Sequence, residues 1–94
     1  MSASVPPEVH VAGVVVHAYP EAVARVVSAV ETHAGARVHA QSRDGKLVVT
    51  LEADDADTIA AAIVEINRIE GVLAASLVYQ HAESASSMDE EVKS

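Results

Sequence analysis

The spacing of hydrophobic residues divides the chain into segments with the periods of strands and helices. β-branched or alternating runs predict strands, and apolar residues three or four positions apart predict helices. The predicted elements are a strand over 9–18, a helix from Pro20 to Gly35, strands over 36–40 and 46–53, a helix that opens at Asp54, Asp55 and Asp57 and ends at Gly71, and a strand over 71–80. This order is that of the ferredoxin-like βαββαβ fold.

The element order predicts an α+β domain in which a four-stranded antiparallel sheet carries two helices on one face. Right-handed crossovers place the first and third strands in the centre of the sheet. Gly45 in the turn SRDG and Gly35 after the first helix are expected to adopt positive φ. We expect the domain to occupy 9–81, with a flexible amino terminus over 1–8 and a disordered acidic tail over 82–94, where apolar periodicity is absent.

Alternation in the third strand separates the two sides of the sheet. Leu47, Val49 and Leu51 are expected to face the helices, and the residues between them are expected to face away. The residues predicted for this open side are Val11, Gly13, Val15 and His17 from the first strand, Lys46, Val48, Thr50 and Glu52 from the third, and Ala74, Ser76, Val78 and Gln80 from the last. They predict a shallow apolar floor without bulky side chains, which suits a helix or an extended peptide lying across it.

Charge and composition limit the classes of partner. The net charge is −8 with only six Lys and Arg residues, which disfavours nucleic acid and anionic membranes and favours a cationic partner. RNA-recognition modules of this fold stack bases on aromatic residues, and the open side offers at most Tyr79. The chain lacks cysteine, an export signal and an apolar run of membrane-spanning length, so we expect a cytoplasmic protein that does not insert into membranes.

The sequence contains no motif that predicts catalysis or a cofactor. His10 and His81 are expected at the same end of the sheet, but two histidines are too few ligands for a zinc site. Asp54, Asp55 and Asp57 lack the glycine and the distal glutamate of a calcium loop, and helix capping explains them. We therefore expect a non-enzymatic protein without a bound metal.

Two alternatives to a peptide partner follow from the residues. A second copy of the chain covers the open side in the first alternative, forming a weak homodimer. In the second, the stretch HAYPEAVARV resembles the strand-to-helix loop of ACT domains, which implies a regulatory module that binds a small ligand. The loop has Tyr19 and Glu21 but lacks the glycines typical of that family.

The stretches HVAGVVVHAYPE, GARVHAQSRDGKLVVTLEADD and IEGVLAASLVYQHAE resemble the NapD family, the cytoplasmic assembly chaperones of periplasmic nitrate reductase. The resemblance covers residues 9–83. It implies that the protein binds the twin-arginine signal peptide of the catalytic subunit and restrains export until the molybdenum cofactor has been inserted. Such a peptide has a basic part followed by an apolar stretch, which suits an acidic domain with an apolar floor.

The open side supplies the residues predicted to contact this peptide. The predicted contacts for its apolar part are Val11, Gly13, Val15, Val48, Thr50, Ala74, Ser76 and Val78. The predicted contacts for its arginines are Glu52 and Glu83.

Overall fold

The computed structural model describes residues 8–84, which form a four-stranded sheet and two α-helices. The elements are β1 (Glu8–Ala18), α1 (Val23–Glu31), β2 (Ala36–Gln41), β3 (Lys46–Ala53), α2 (Ala56–Asn67) and β4 (Val72–Ser84), with a 3-10 turn at Pro20–Ala22. The strands lie in the order β2-β3-β1-β4 and every neighbouring pair is antiparallel. The predicted ferredoxin-like architecture, with β1 and β3 in the centre, is confirmed.

The hydrophobic core lies between the helices and one side of the sheet. Strict alternation in β3 buries Leu47 completely and leaves its neighbour Val48 43% exposed, because successive strand residues point to opposite sides. The buried core residues are Ala12, Val14, Val16 and Ala18 from β1, Leu47, Val49 and Leu51 from β3, and Ala22, Val26, Val30, Ile59 and Ile66 from the helical segments. The core is therefore a single layer that is built mostly from small hydrophobic side chains.

The first helix is shorter than the predicted span from Pro20 to Gly35. Pro20 begins a 3-10 turn, and the amide of Ala22 donates to the carbonyl of Tyr19 at 2.8 Å. The α-helix ends at Glu31, where the Thr32 hydroxyl donates to the carbonyl of Ala29 at 2.7 Å. Side-chain hydrogen bonds of this kind compete with helix propagation, so the chain leaves the helix before Gly35.

Both predicted turn glycines have the expected backbone conformation. Gly35 has φ of 81° before β2, and Gly45 has φ of 104° in the hairpin between β2 and β3. The amide of Gly45 donates to the carbonyl of Ser42 at 3.2 Å and closes that turn.

The start of α2 is capped by one of the three predicted aspartates. Oδ1 of Asp55 accepts hydrogen bonds from the amide and the hydroxyl of Thr58, each at 2.7 Å. These bonds, the side-chain one first, lower the pKa of Asp55 below its ordinary value. Asp57 lies in the first turn of the helix, where its charge complements the helix dipole.

The two outer ends of the domain extend beyond the predicted limits. β1 begins at Glu8, and β4 continues to Ser84, which is paired with Glu8. Residues 82–84 were expected in the acidic tail, but the central strand β1 supplies them with backbone partners. The rest of the predicted flexible amino terminus and of the predicted tail, residues 1–7 and 85–94, lies outside the described residues.

Candidate functional site

The side of the sheet opposite the helices, hereafter the open face, is built from cross-strand rows. Paired residues of antiparallel strands lie side by side and point to the same side of the sheet, so the register defines each row. From one end to the other, the rows are Val9–Glu83; Glu52–Val11–His81; Arg37–Thr50–Gly13–Tyr79; Ala40–Val48–Val15–Ser76; and Lys46–His17–Ala74. Within residues 8–84, both helices pack against the other side, where the core lies.

The open face receives most of the residues predicted for it. The register brings Val11, Gly13 and Val15 of β1 beside Val48, Thr50 and Glu52 of β3, and beside Ala74 and Ser76 of β4. Gly13 is buried, while Val11, Val15 and Thr50 are half-buried and Val48, Glu52, Ala74 and Ser76 are exposed. The apolar part is concentrated in the row around Val15 and Val48.

A β-bulge in β4 changes the assignment of the residues after Leu77. Gly13 is paired with Tyr79 and Val14 with Leu77, so Val78 is the extra residue between two registered pairs and is 63% exposed. One extra residue reverses the sides taken by the residues that follow. The structure therefore places Tyr79, His81 and Glu83 on the open face and aligns Gln80 with the core residue Ala12, contrary to the prediction for Gln80.

Tyr79 covers the centre of the open face. Its ring lies so close to Gly13 that a Cβ atom added there would sit 2.7 Å from Cδ2 and 2.9 Å from Cζ of the ring. Tyr79 remains 47% exposed as a residue, so its ring lies on the sheet while the side chain keeps contact with solvent. The prediction of a floor without a bulky side chain is wrong at this row.

The carboxyl-terminal part of β4 aligns three functional groups on the open face. The rings of Tyr79 and His81 are stacked, with centroids 5.9 Å apart and planes inclined by 18°. Nε2 of His81 lies 3.4 Å from Oε2 of Glu83. An aromatic ring, an imidazole and a carboxylate thus follow one another along a single edge strand.

The opposite edge of the open face is more polar. Nε2 of His39 and Oγ1 of Thr50 are 2.7 Å apart and share a hydrogen bond. A cleft of about 390 Å³ opens beside them, and its lining residues are Val11, Gly35, Ala36, Arg37, His39, Thr50, Leu51 and Glu52. Glu52 therefore shares its surroundings with the guanidinium-bearing residue Arg37.

The two histidines expected at the same end of the sheet do lie there, but on its opposite sides. His81 is paired with Val11 on the open face, whereas His10 is the next residue along β1 and pairs with Ala82. Nε2 of His10 lies 3.4 Å from Oε1 of Glu8. Among residues 8–84, no three His, Cys, Asp or Glu side chains are grouped as metal ligands.

The family model for "NapD protein" matches residues 9–84, which is almost all of the described structure. The chain belongs to the NapD family. Chaperone NapD of Escherichia coli strain K12 is 34% identical over 74 residues, covering 78% of this chain and 85% of the relative. Chaperone NapD of Shigella flexneri has the same identity and coverage.

A solved NapD structure has the same fold. The solution structure described as the E. coli Tat proofreading chaperone protein NapD has a TM-score of 0.72 and 32% sequence identity, and the match covers 82% of this chain and 81% of that one. The relatives of this NapD-family chain are thus named as chaperones. Neither helix in the described part of the chain has both the length and the hydropathy of a membrane span.

Sequence reasoning missed His81, Arg37 and His39 as members of the open face of this NapD-family chain, and it did not predict that Tyr79 covers the centre of that face. The sequence did contain an indication that another group lies over the first strand, because Gly13 stands within a run of β-branched residues. A glycine inside a strand commonly marks a bulge or a close approach by another group. The partner that makes this approach is 66 positions away in the chain and is identified only by the register.

Proposed function

We propose that this protein is a chaperone that binds the twin-arginine signal peptide of the catalytic subunit of periplasmic nitrate reductase on its open face. Binding restrains export until the molybdenum cofactor has been inserted and the enzyme has folded. The observation that carries the proposal is the sheet side left without helical cover by residues 8–84 in a NapD-family chain. The relative described as a Tat proofreading chaperone supports the same class of partner.

The apolar part of the peptide is assigned to the rows that contain Val15 and Val48. Val48 is 43% exposed, and its row neighbours Ala40 and Ser76 are small, so a helical segment can approach the sheet closely. Burial of about 400 to 700 Å² contributes on the order of 10 kcal/mol. Ordering of the peptide and loss of its free motion offset several kcal/mol, which leaves micromolar to nanomolar affinity, a range suited to a reversible escort.

Charge provides the second source of recognition. The net charge of −8 attracts a peptide with a basic end, and Glu52 and Glu83 place carboxylates on the same end of the open face. Such attraction acts mainly on the association rate and on the choice of partner.

Restraint of export follows from mass action and requires no chemical step. A signal peptide held on the open face is removed from the pool available to the translocase, and it returns to that pool when the complex dissociates. The proposal therefore places the protein in the cytoplasm, where the signal peptide is present before export.

The test measures peptide affinity by titration calorimetry for the wild type and for two open-face variants, Val15→Glu and Ala74→Glu. We expect both variants to lose at least tenfold in affinity, because each brings an unpaired charge under an apolar guest. Val64→Glu is the matched control, since Val64 is 51% exposed on α2 in the opposite layer. Circular dichroism of each variant verifies that the domain is folded.

Unchanged affinity in both folded open-face variants would remove the proposed site. The regulatory-module alternative is tested in the same preparation by a thermal shift with free amino acids. The regulatory-module alternative predicts that a free amino acid raises the melting temperature and that the peptide does not. Sedimentation of the wild type measures whether a homodimer covers the open face and whether the peptide dissociates it.

A further inference from the structure

Glu52 and Glu83 are not equivalent as binding sites for the arginines of the peptide. Glu52 lines a cleft together with Arg37, which lies in the neighbouring row of the open face. A guanidinium group near Glu52 therefore meets a like charge as well as an opposite one. Among residues 8–84, β1 and β4 contain no Lys or Arg, so neither of these strands brings a corresponding repulsion to the half of the face around Glu83.

Tyr79 adds a second group suited to a guanidinium. Its ring contacts Gly13 on one side and is stacked with His81 at a centroid distance of 5.9 Å, while Tyr79 as a whole is 47% exposed, so the ring surface that these neighbours leave uncovered is open to a planar cation. Arginine stacks on aromatic faces and also forms paired hydrogen bonds with carboxylates. His81 lies between the ring and the carboxylate of Glu83, stacked on the first and 3.4 Å from the second.

We infer that Tyr79, His81 and Glu83 form a guanidinium-binding subsite along β4, which receives the arginines of the guest. This inference rests on the proposed function and assigns the arginines to the β4 edge of the open face, away from Arg37. Tyr79 supplies the stacking surface, Glu83 supplies the charge, and His81 lies between them, stacked with the ring and with its Nε2 3.4 Å from Oε2 of Glu83. The bulge at Val78 is what places all three on the open face.

The subsite also determines the direction of the guest. The row of Glu83 and the row of Val15 are six residues apart along β1, a distance of about 20 Å. A helical guest of about 13 residues spans this distance. Its basic end therefore lies over Glu83, and its apolar part runs parallel to β1 towards Val15 and Val48.

The experiment uses the full chain and a synthetic peptide with two consecutive arginines followed by an apolar stretch, together with versions in which both arginines are lysine or glutamine. Titration calorimetry compares the wild type with Glu83→Gln and Tyr79→Leu. We expect each variant to bind the arginine peptide about threefold more weakly. We also expect Tyr79→Leu to remove the preference for arginine over lysine, because leucine offers no π face.

Three controls separate the subsite from general effects on folding or charge. Tyr79→Phe keeps the ring and should retain the wild-type affinity and the arginine preference. Glu65→Gln removes the same charge from an exposed residue of α2 in the opposite layer and should change the affinity by less than twofold. The glutamine peptide should bind the wild type and the Glu83→Gln variant equally, since its apolar part contacts other rows.

The subsite is overturned if Glu52→Gln weakens arginine-peptide binding more than Glu83→Gln, or if Tyr79→Leu keeps the arginine preference. A spin label on the basic end of the peptide tests direction independently. It should broaden the amide signals near Glu83 and spare those near His17, and the reverse pattern contradicts the assignment. If neither the arginine nor the glutamine peptide binds the wild type, the proposed function fails and the subsite fails with it.

Discussion

The ring of Tyr79 lies against Gly13, across the pair of strands β1 and β4. Gly13 is absent from the glycines with positive φ, so the backbone conformation does not require glycine there. The requirement comes from the ring, which fills the space that a Cβ atom would occupy. A residue without a side chain thus allows an aromatic ring to lie against the sheet.

Gly13→Ala should destabilise the protein through this contact. The added methyl group overlaps the ring of Tyr79, and we expect a loss of about 1–3 kcal/mol in the free energy of unfolding, measured with urea. In a Tyr79→Ala background the same substitution should be neutral or stabilise by about 0.5–1 kcal/mol, because alanine is better than glycine in a strand. Equal effects of Gly13→Ala in the two backgrounds would mean that the residues are not coupled.

The two sides of β3 should respond differently to substitution. Leu47 is completely buried in the core, and Leu47→Ala should cost about 2–5 kcal/mol in the free energy of unfolding. Val48 is exposed on the open face, so Val48→Thr should change stability by less than about 0.5 kcal/mol. A large, concentration-dependent effect of Val48→Thr would indicate that a second copy of the chain covers the open face.

The Asp55 cap should make part of the protein's stability sensitive to acid. The pKa of Asp55 is lowered in the folded protein by its hydrogen bonds with Thr58. The cap's stabilising contribution is therefore present above the ordinary pKa of 3.8 and is lost as the pH falls through the lower folded value. Asp55→Asn retains a capping oxygen but does not titrate, so its free energy of unfolding should fall less than that of the wild type between pH 7 and pH 2.5.

That comparison uses chemical denaturation at each pH. The difference in the free energy of unfolding between the wild type and Asp55→Asn at pH 7 is subtracted from the difference at each lower pH. This subtraction removes the effect of Asn being a stronger or weaker cap than Asp. Parallel pH curves for the two proteins would show that Asp55 does not contribute to the acid sensitivity.

Salt should weaken the charged part of peptide recognition more than the apolar part. The screening length falls from about 10 Å at 0.1 M to about 3 Å at 1 M ionic strength. We expect the arginine peptide to lose its advantage over the glutamine peptide across this range, with the latter as the control for effects of salt on apolar burial. An advantage that does not change with salt would argue against pairing of the arginines with acidic residues.

The Asn67 side chain offers a test of how α2 is attached to the outer strand. Oδ1 of Asn67 accepts a hydrogen bond from the amide of Ala75 on β4 at 3.1 Å, and its Nδ2 donates to the carbonyl of Ile63 at 3.0 Å. Asn67→Ala should destabilise the protein by about 1 kcal/mol. It should also increase hydrogen exchange at the Ala75 amide, which loses its partner at the sheet edge. Unchanged exchange there would contradict the role of Asn67.

The order of elements and the composition of the core follow from local pattern. The alternation around Leu47 and Val49, the helical spacing of Ile59, Ile63 and Ile66, and the glycines at 35 and 45 are all properties of short stretches of chain. Side-chain period and steric limits on φ act over a few residues, and this is why the sequence alone predicts the ferredoxin-like sheet and its two sides.

The composition of the open face beyond Leu77 depends on how β4 pairs with β1. Local alternation in LVYQHAE predicts Val78 and Gln80 on that face, and one bulge places Tyr79, His81 and Glu83 there. A bulge arises from the relative registers of two strands that are distant in sequence, together with the space above Gly13, and no period within β4 encodes it. The sequence therefore determined that one side of the sheet is open, and the tertiary structure decided that the rings of Tyr79 and His81 line its β4 edge in place of Val78 and Gln80.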